Sequence, residues 1–329
     1  MVKNAAYKII IALIIISAAA VAARHFYLPD EKMPISVKNG ETARSVSLKL
    51  KEKNLILSAN LFLCWVKASG AASKIKAGYY EFSSKDGMFK ILSELKNGSS
   101  SLVKFTVPEG SSIKQTAEIV AQKVFIDKDA FIKTAQDLKA EGYLMPETYY
   151  VDPTSTQEQI IALMQAEFDK KVTPEMRARA GEIGVSLQDV VIIASIVEKE
   201  AVNPKERPVI AAVFYNRLKK KIRLESCATV LYAMGVSKAR LTLEDTKFDS
   251  PYNTYRHAGL PPGPICSPGI ESIKAALYPA NTGSLFFVSQ GNGSHLFAAD
   301  LQEHVQNKRI TKKNIKRRQA ASGDDKNNR

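Results

Sequence analysis

Apolar positions begin with a long run. Ile9 to Ala23 is apolar apart from Ser17, with Lys3 and Lys8 before it and Arg24 after it. As a helix this run covers roughly 22 Å, short of the ~30 Å hydrocarbon core of a bilayer. Lysine and arginine stems that snorkel cover part of that gap. Ala18 to Ala23 also reads as a signal-peptidase site. The residues alone leave a membrane anchor and a cleaved signal equally open. Both readings carry everything after Arg24 out of the cytoplasm, because the two lysines favour the inside.

After a polar link, Leu28 to Pro34, the pattern shortens to strand and helix periods. Ile35-Ser-Val37 reads as a strand, Gly40 as a turn, and Ala43, Val46 and Leu50 as one helix face. Phe105-Thr-Val107, Gly110, Ile113, Ala117 and Val120 repeat that order further on. Between the two copies, Gly78 to Phe82 predicts a strand. Met88, Phe89, Ile91, Leu92 and Leu95 predict a short helix closed by Asn97-Gly98. Together these define a small α+β module over 33–125.

From Asp127 to Arg179 the periodicity is helical, interrupted by the aromatic, proline-containing segment Gly142 to Tyr150. Ser186 and Asp189 form a capping-box start. Val190 to Val197 is apolar all round except for Ser195, so this helix is predicted to be buried. It runs into Glu198-Lys199-Glu200, and Pro204 opens a second helix through Leu218. Ser284 to Ser289 and Ser294 to Ala298 predict a hairpin across Gln290 to Gly293. The class is α+β, with a catalytic-size region over 126–307.

Composition narrows the chemistry. The 329 residues exceed one ordinary domain, and 45% hydrophobic with 24% charged residues is a globular balance. Cys64, Cys227 and Cys266 cannot all pair, which excludes a disulfide-stapled scaffold. The four histidines lack HExxH or C-x-x-C company, so no metal is expected. GxSxG, GxxxxGK[ST] and GxGxxG are absent, and no cofactor is expected. Of the net charge of +14, residues 308–329 contribute nine Lys/Arg minus two Asp, or +7. That segment reads as a disordered basic tail.

One residue carries the candidate chemistry. A carboxyl at the C-terminal end of a buried helix is disfavoured in its charged form by apolar neighbours and by the helix terminus. Both effects raise its pKa, as a general acid working near neutrality needs. Glu200 sits there. Glu198 lies about 200° away around the helix, so one of the two is functional and the other structural. Sequence physics leaves two solvated helix-end glutamates as the competing reading. Tyr252-Asn-Thr-Tyr255, Gly259-Leu-Pro-Pro-Gly-Pro-Ile265 and Ser267-Pro-Gly269 are rigid loops with aromatic and amide groups. They suit a groove that stacks on sugar rings, and equally an ordinary elaborate loop.

An ordered set of motifs resembles the endolytic murein transglycosylase (YceG-like) family. They are Gly142-Tyr-x-x-Pro-x-Thr-Tyr149, Ala194-Ser-Ile-Val-Glu-Lys-Glu200, Val213-Phe-Tyr-Asn-Arg-Leu218 and Thr229-Val-Leu-Tyr232, followed by the three loops above. The resemblance implies a retained single-pass anchor over 1–27 in the inner membrane, a LysM-like module and a periplasmic catalytic domain. It places the catalytic glutamate on Glu200, which would protonate the oxygen between N-acetylmuramic acid and N-acetylglucosamine. The resulting carboxylate would deprotonate the muramic C6 hydroxyl, giving a 1,6-anhydro end without water. Ordinary glycosidases need two carboxylates; an internal nucleophile at high effective concentration needs one.

Glu198, Asn216, Glu225, Thr229, Tyr252, Asn253 and Tyr255 are the candidate substrate-binding residues. The family commonly reads Gln-[Ser/Thr]-Asp-Pro-Thr where this chain reads Glu225-Ser-Cys-Ala-Thr229. Cys227 and Ala228 therefore stand in place of Asp and Pro. The expected partners are glycan strands, the membrane and peptidoglycan synthases, and not nucleic acid. The alternative is a non-enzymatic, membrane-anchored peptidoglycan-binding scaffold.

Overall fold

The computed structural model describes residues 31–37, 40–98, 102–236, 238 and 241–324. The expected anchor over 1–27 lies outside the described residues. Among those that are described, no single helix is long and apolar enough to cross a membrane. The chain is a mixed α+β protein that divides into two compact units.

The smaller unit runs to Lys104 and adds Gln122–Ile126 and Tyr150–Thr156. Strand β1 (Lys32–Val37) pairs antiparallel with β2 (Gly78–Ser83), with Ile35 opposite Tyr80 and Lys32 opposite Ser83. Helices α1 (Ala43–Glu52) and α2 (Ala59–Ala68) start on the hydroxyls of Thr42 and Ser58, which accept from the amides of Ser45 and Leu61. Helix α3 (Met88–Asn97) stops at Gly98, whose φ of 75° few side chains tolerate. Val46, Leu50, Phe62, Tyr80, Phe82, Ile91 and Leu95 fill the core. The apolar run Leu61 to Val66 of α2 fits helix and strand periods alike, so the pattern alone does not mark this helix.

The larger unit takes Phe105–Ala121, Asp127–Tyr149 and the chain from Gln157 onward. Strands β3 (Val103–Thr106) and β4 (Thr148–Val151) pair with each other. Helices α4 (Ile113–Ala121), α5 (Lys128–Asp137), α6 (Gln157–Lys171) and α7 (Pro174–Glu182) lead to α8 (Leu187–Glu200). Ser186 and Asp189 cap α8 reciprocally, and every residue from Val190 to Val197 is buried. Helices α9 (Arg207–Lys219), α10 (Cys227–Met234) and α11 (Ile270–Leu277) pack around it. Pro204 opens a single 3-10 turn, and the helix proper begins only at Arg207.

Ser195 explains itself once the loops are in place. Its hydroxyl donates to the Ile192 carbonyl and accepts from the Ile265 amide, while its carbonyl accepts from the Cys266 thiol. The proline-rich loop is therefore stitched to the middle of α8. Gly142 closes the same region: a Cβ there would lie 2.6 Å from Pro264 and 2.9 Å from Val191.

The hairpin of β5 (Phe286–Ser289) and β6 (His295–Ala298) pairs Ser289 with His295. Helix α12 (Leu301–Asp324) lies on this hairpin, and here the expected disordered tail is corrected. The segment from Lys308 continues α12, because a stripe at helical spacing has partners. His304 stacks on Phe286, the Asn307 amide donates to the Phe297 carbonyl, Thr311 is buried, and Arg318 donates to the Gln290 carbonyl. Lys308, Arg309, Lys312, Lys313 and Arg317 are exposed to solvent.

Candidate active site

Helix α8 delivers Glu200 as its last residue. Its carboxyl meets the start of α10, where Ser226 is the N-cap. The Ser226 hydroxyl leaves the backbone of its own helix unbonded and donates instead to Glu200 Oε1 at 2.6 Å. Glu200 thus lies between the negative end of one helix and the positive end of another.

Opposed forces act on this one carboxyl. Burial pushes its pKa above the usual carboxylate range. The Ser226 hydroxyl, the charge of His295 and the Ala228 amide pull in the other direction. Such a group holds a proton readily, yet its ionised form has donors waiting.

Ser226 is fixed from behind. Its amide donates to Thr254 Oγ1 at 3.0 Å, and its carbonyl accepts from the Thr229 hydroxyl at 2.9 Å. The Thr229 and Thr254 hydroxyls also meet, 2.9 Å apart. Thr229 is fully buried, with its hydroxyl committed to the Ser226 carbonyl. Next to Ser226, the Cys227 sulfur lies 3.1 Å from the Tyr255 hydroxyl. Burial raises the pKa of both groups, and the nearby Glu200 charge adds to the rise.

The remaining candidates separate into rim and scaffold. Glu225 is exposed, adopts φ 49° and accepts from Arg217 at 3.4 Å. Glu198 turns away from Glu200: it accepts from the Gly269 amide at 3.0 Å, at the start of α11, and lies 3.6 Å from Arg207. Asn216 donates to the carbonyls of Thr282 and Ser284, at 2.8 and 3.0 Å. Asn253 is fully buried, donates to Thr246 and Phe248, and accepts from the Tyr255 amide. Tyr252 packs its ring 5.0 Å from Tyr232 and keeps part of its surface open. Among the described residues, no group of three His, Cys, Asp or Glu side chains could hold a metal ion.

The YceG-like family pattern matches residues 35–310. The chain belongs to this family. An endolytic murein transglycosylase from Bacillus subtilis is 33% identical to it, over 92% of this chain and 93% of that protein. One from Streptococcus pneumoniae is 29% identical, over 82% of this chain and 56% of that longer protein. The crystal structure of a YceG-like protein from Listeria monocytogenes matches with a TM-score of 0.59 at 33% identity, covering 84% of this chain and 98% of that one.

Within this YceG-like chain, three groups near the site carried no usable sequence signal. Ser226 is an unremarkable serine until α10 turns it toward Glu200. His295 sits in β6, where its Nδ1 lies 2.7 Å from Glu206 and its amide donates to the same carboxyl at 3.1 Å. Glu141 precedes the Gly142 motif, accepts from the Ile113 amide and the Tyr232 hydroxyl, and is pushed by burial up to about 7. Each depends on contacts more than 25 residues apart in sequence, which periodicity does not register.

Proposed function

We propose that this chain is an endolytic lytic transglycosylase, with Glu200 as its single acid and base. It cleaves the β-1,4 bond from N-acetylmuramic acid to N-acetylglucosamine within glycan strands. The reading rests on relatives named endolytic murein transglycosylase and on one geometric observation, the 2.6 Å bond from Ser226 to Glu200 at the junction of two helix ends.

That arrangement suits a carboxyl that must change roles within one turnover. Protonated Glu200 gives its proton to the bridging oxygen as the glycosidic bond breaks. The carboxylate left behind is stabilised by the Ser226 hydroxyl, the Ala228 amide and His295. It then takes the proton of the muramic C6 hydroxyl as that oxygen closes on the anomeric carbon. Glu200 ends protonated, no water is consumed, and the product carries a 1,6-anhydro ring. Tyr255 and Tyr252 are the aromatic surfaces placed for sugar rings, and Glu225 lies on the exposed rim.

The finer architecture belongs to the same proposal. The run Ile9 to Ala23 is a single-pass inner-membrane anchor, the smaller unit is a LysM-like module that holds glycan, and the larger unit works in the periplasm. There it would limit strand length beside peptidoglycan synthases. The test is mass spectrometry of products released from glycan strands by the full chain in detergent, beside Glu200→Gln. Anhydro ends that vanish in the variant are the expected result. Reducing ends would mean hydrolysis, and strands bound but uncut by both proteins would favour the scaffold.

A further inference from the structure

The smaller unit carries an apolar surface that its own core does not use. Phe89 is 74% exposed, Leu61 66% and Met88 38%. They form one patch around Trp65, which is partly exposed itself. Trp65 meets Phe89 edge-on at 4.6 Å and is tied to the core through Phe62, 6.1 Å away. Leu61 lies one helical turn before Trp65 on α2, and Met88-Phe89 open α3. Large apolar residues gathered in this way mark an interaction surface rather than scattered surface residues.

Chain geometry identifies the partner. The chain enters this unit at Lys32, the first residue of β1, which pairs with Ser83 at the end of β2. From Ser83 a tight turn, closed by the Asp86 side chain on the Ser83 amide, leads directly to Met88 and Phe89. The entry point and the patch therefore share one end of the unit. Arg24 bounds the proposed anchor, and the eight residue steps from it to Lys32 reach at most about 28 Å. The surroundings are basic: Lys32, Lys67 and Lys85 are exposed, Lys90 pairs with Asp86, and residues 31–104 carry thirteen Lys/Arg against six Asp/Glu.

We infer that Leu61, Trp65, Met88 and Phe89 dock the smaller unit onto the lipid surface of the membrane that holds the anchor. The inference rests on the anchor proposed above. Tryptophan and phenylalanine suit the headgroup boundary, where an apolar body is buried and the backbone stays wet. Docking is driven by apolar burial, and the net positive charge of the smaller unit adds attraction to anionic lipid. Docking would hold the first unit flat and set the height from which the rest of the chain reaches glycan.

Trp65 is the single tryptophan of the chain and so reports on its own surroundings. The full chain is reconstituted into phosphatidylcholine vesicles with and without dibrominated acyl chains. Flotation after an alkaline wash reads the anchor, and Trp65 emission reads the patch. Docking predicts that brominated lipid lowers the emission by about twofold or more, since bromine quenches only rings at the boundary. It also predicts protection from aqueous acrylamide. Leu61→Ser with Phe89→Ser should still float and unfold at the same temperature, but lose most of the quenching. A chain that floats with Trp65 unquenched keeps the anchor and overturns docking. Emission that responds to soluble glycan strands and not to brominated lipid assigns the patch to glycan and also overturns docking. A chain that fails to float overturns the anchor, and docking with it.

Discussion

Ser226 donates its hydroxyl hydrogen to Glu200 Oε1 across 2.6 Å, joining the last residue of α8 to the N-cap of α10. The bond favours the ionised form of a carboxyl that burial otherwise keeps protonated. Ser226→Ala removes it, so the Glu200 pKa rises further. In the proposed mechanism the first step needs the protonated acid, so the basic limb of the kcat/KM profile should move to higher pH, by about one unit. Turnover falls at the same time, since the carboxylate formed midway loses a donor. A pH–rate profile with an unmoved basic limb would show that Ser226 merely supports the loop.

Ala228 offers a second handle. Proline, which the motif resemblance leads one to expect at this position, lacks the N–H that here favours the Glu200 carboxylate. Ala228→Pro puts proline at the second position of α10, where its fixed φ is tolerated. The expected result is a basic limb raised by about half a unit with folding intact. Cys227 would keep its Tyr255 contact. A limb that moves down, or stays in place in a folded variant, would sink this account of Ala228.

The buried helix that ends at Glu200, its capping box and the hairpin were legible because each is local. Burial from Val190 to Val197 follows from composition alone, and Ser186 with Asp189 announces the start. What surrounds Glu200 was not legible. Ser226, Ala228 and His295 come from other elements, and only packing brings them in. The same blindness applies to the contacts of the candidate binding residues: Glu198, Asn216 and Thr229 hydrogen-bond backbone groups, while Glu225 is exposed and Tyr255 partly so. Asparagine in a proline-rich loop looks the same in sequence whether it pins carbonyls or binds sugar. The basic tail was misread for a related reason, because its charge hid the stripe His304, Asn307, Thr311 and Arg318 that faces the hairpin.

Asn253 turns that distinction into a measurement. It makes three hydrogen bonds and exposes none of its surface. Asn253→Ala strands the carbonyls of Thr246 and Phe248 and frees the Tyr255 amide. Stability should fall by about 1–2 kcal/mol, the cost of losing three hydrogen bonds whose partners Thr246, Phe248 and Tyr255 are partly open to water. At temperatures where the variant is folded, KM should stay within about twofold of the parent, because the side chain touches no ligand surface. Unchanged urea unfolding with a raised KM would return Asn253 to the groove.

Glu141 sets the pH dependence of stability from outside the reacting group. Its carboxyl joins the start of α4, through the Ile113 amide, to Tyr232 on α10. Burial raises it from 4.5 to about 7; the Ile113 and Gly142 amides, Tyr232 and the Lys199 charge oppose that rise. A folded-state value above the unfolded one means that the stabilisation is complete below about pH 4.5 and is lost as pH rises through about 7. Glu141→Gln keeps an acceptor for the Ile113 amide but has no proton to lose. Between pH 5 and 8.5 the parent should therefore lose about 2–3 kcal/mol more than the variant in urea unfolding. Glu200 and Glu109 are also raised, but both are present in each protein and cancel in the comparison. Parallel stability–pH curves would mean that Glu141 is already solvated when it ionises, and that the link between α4 and α10 carries no proton.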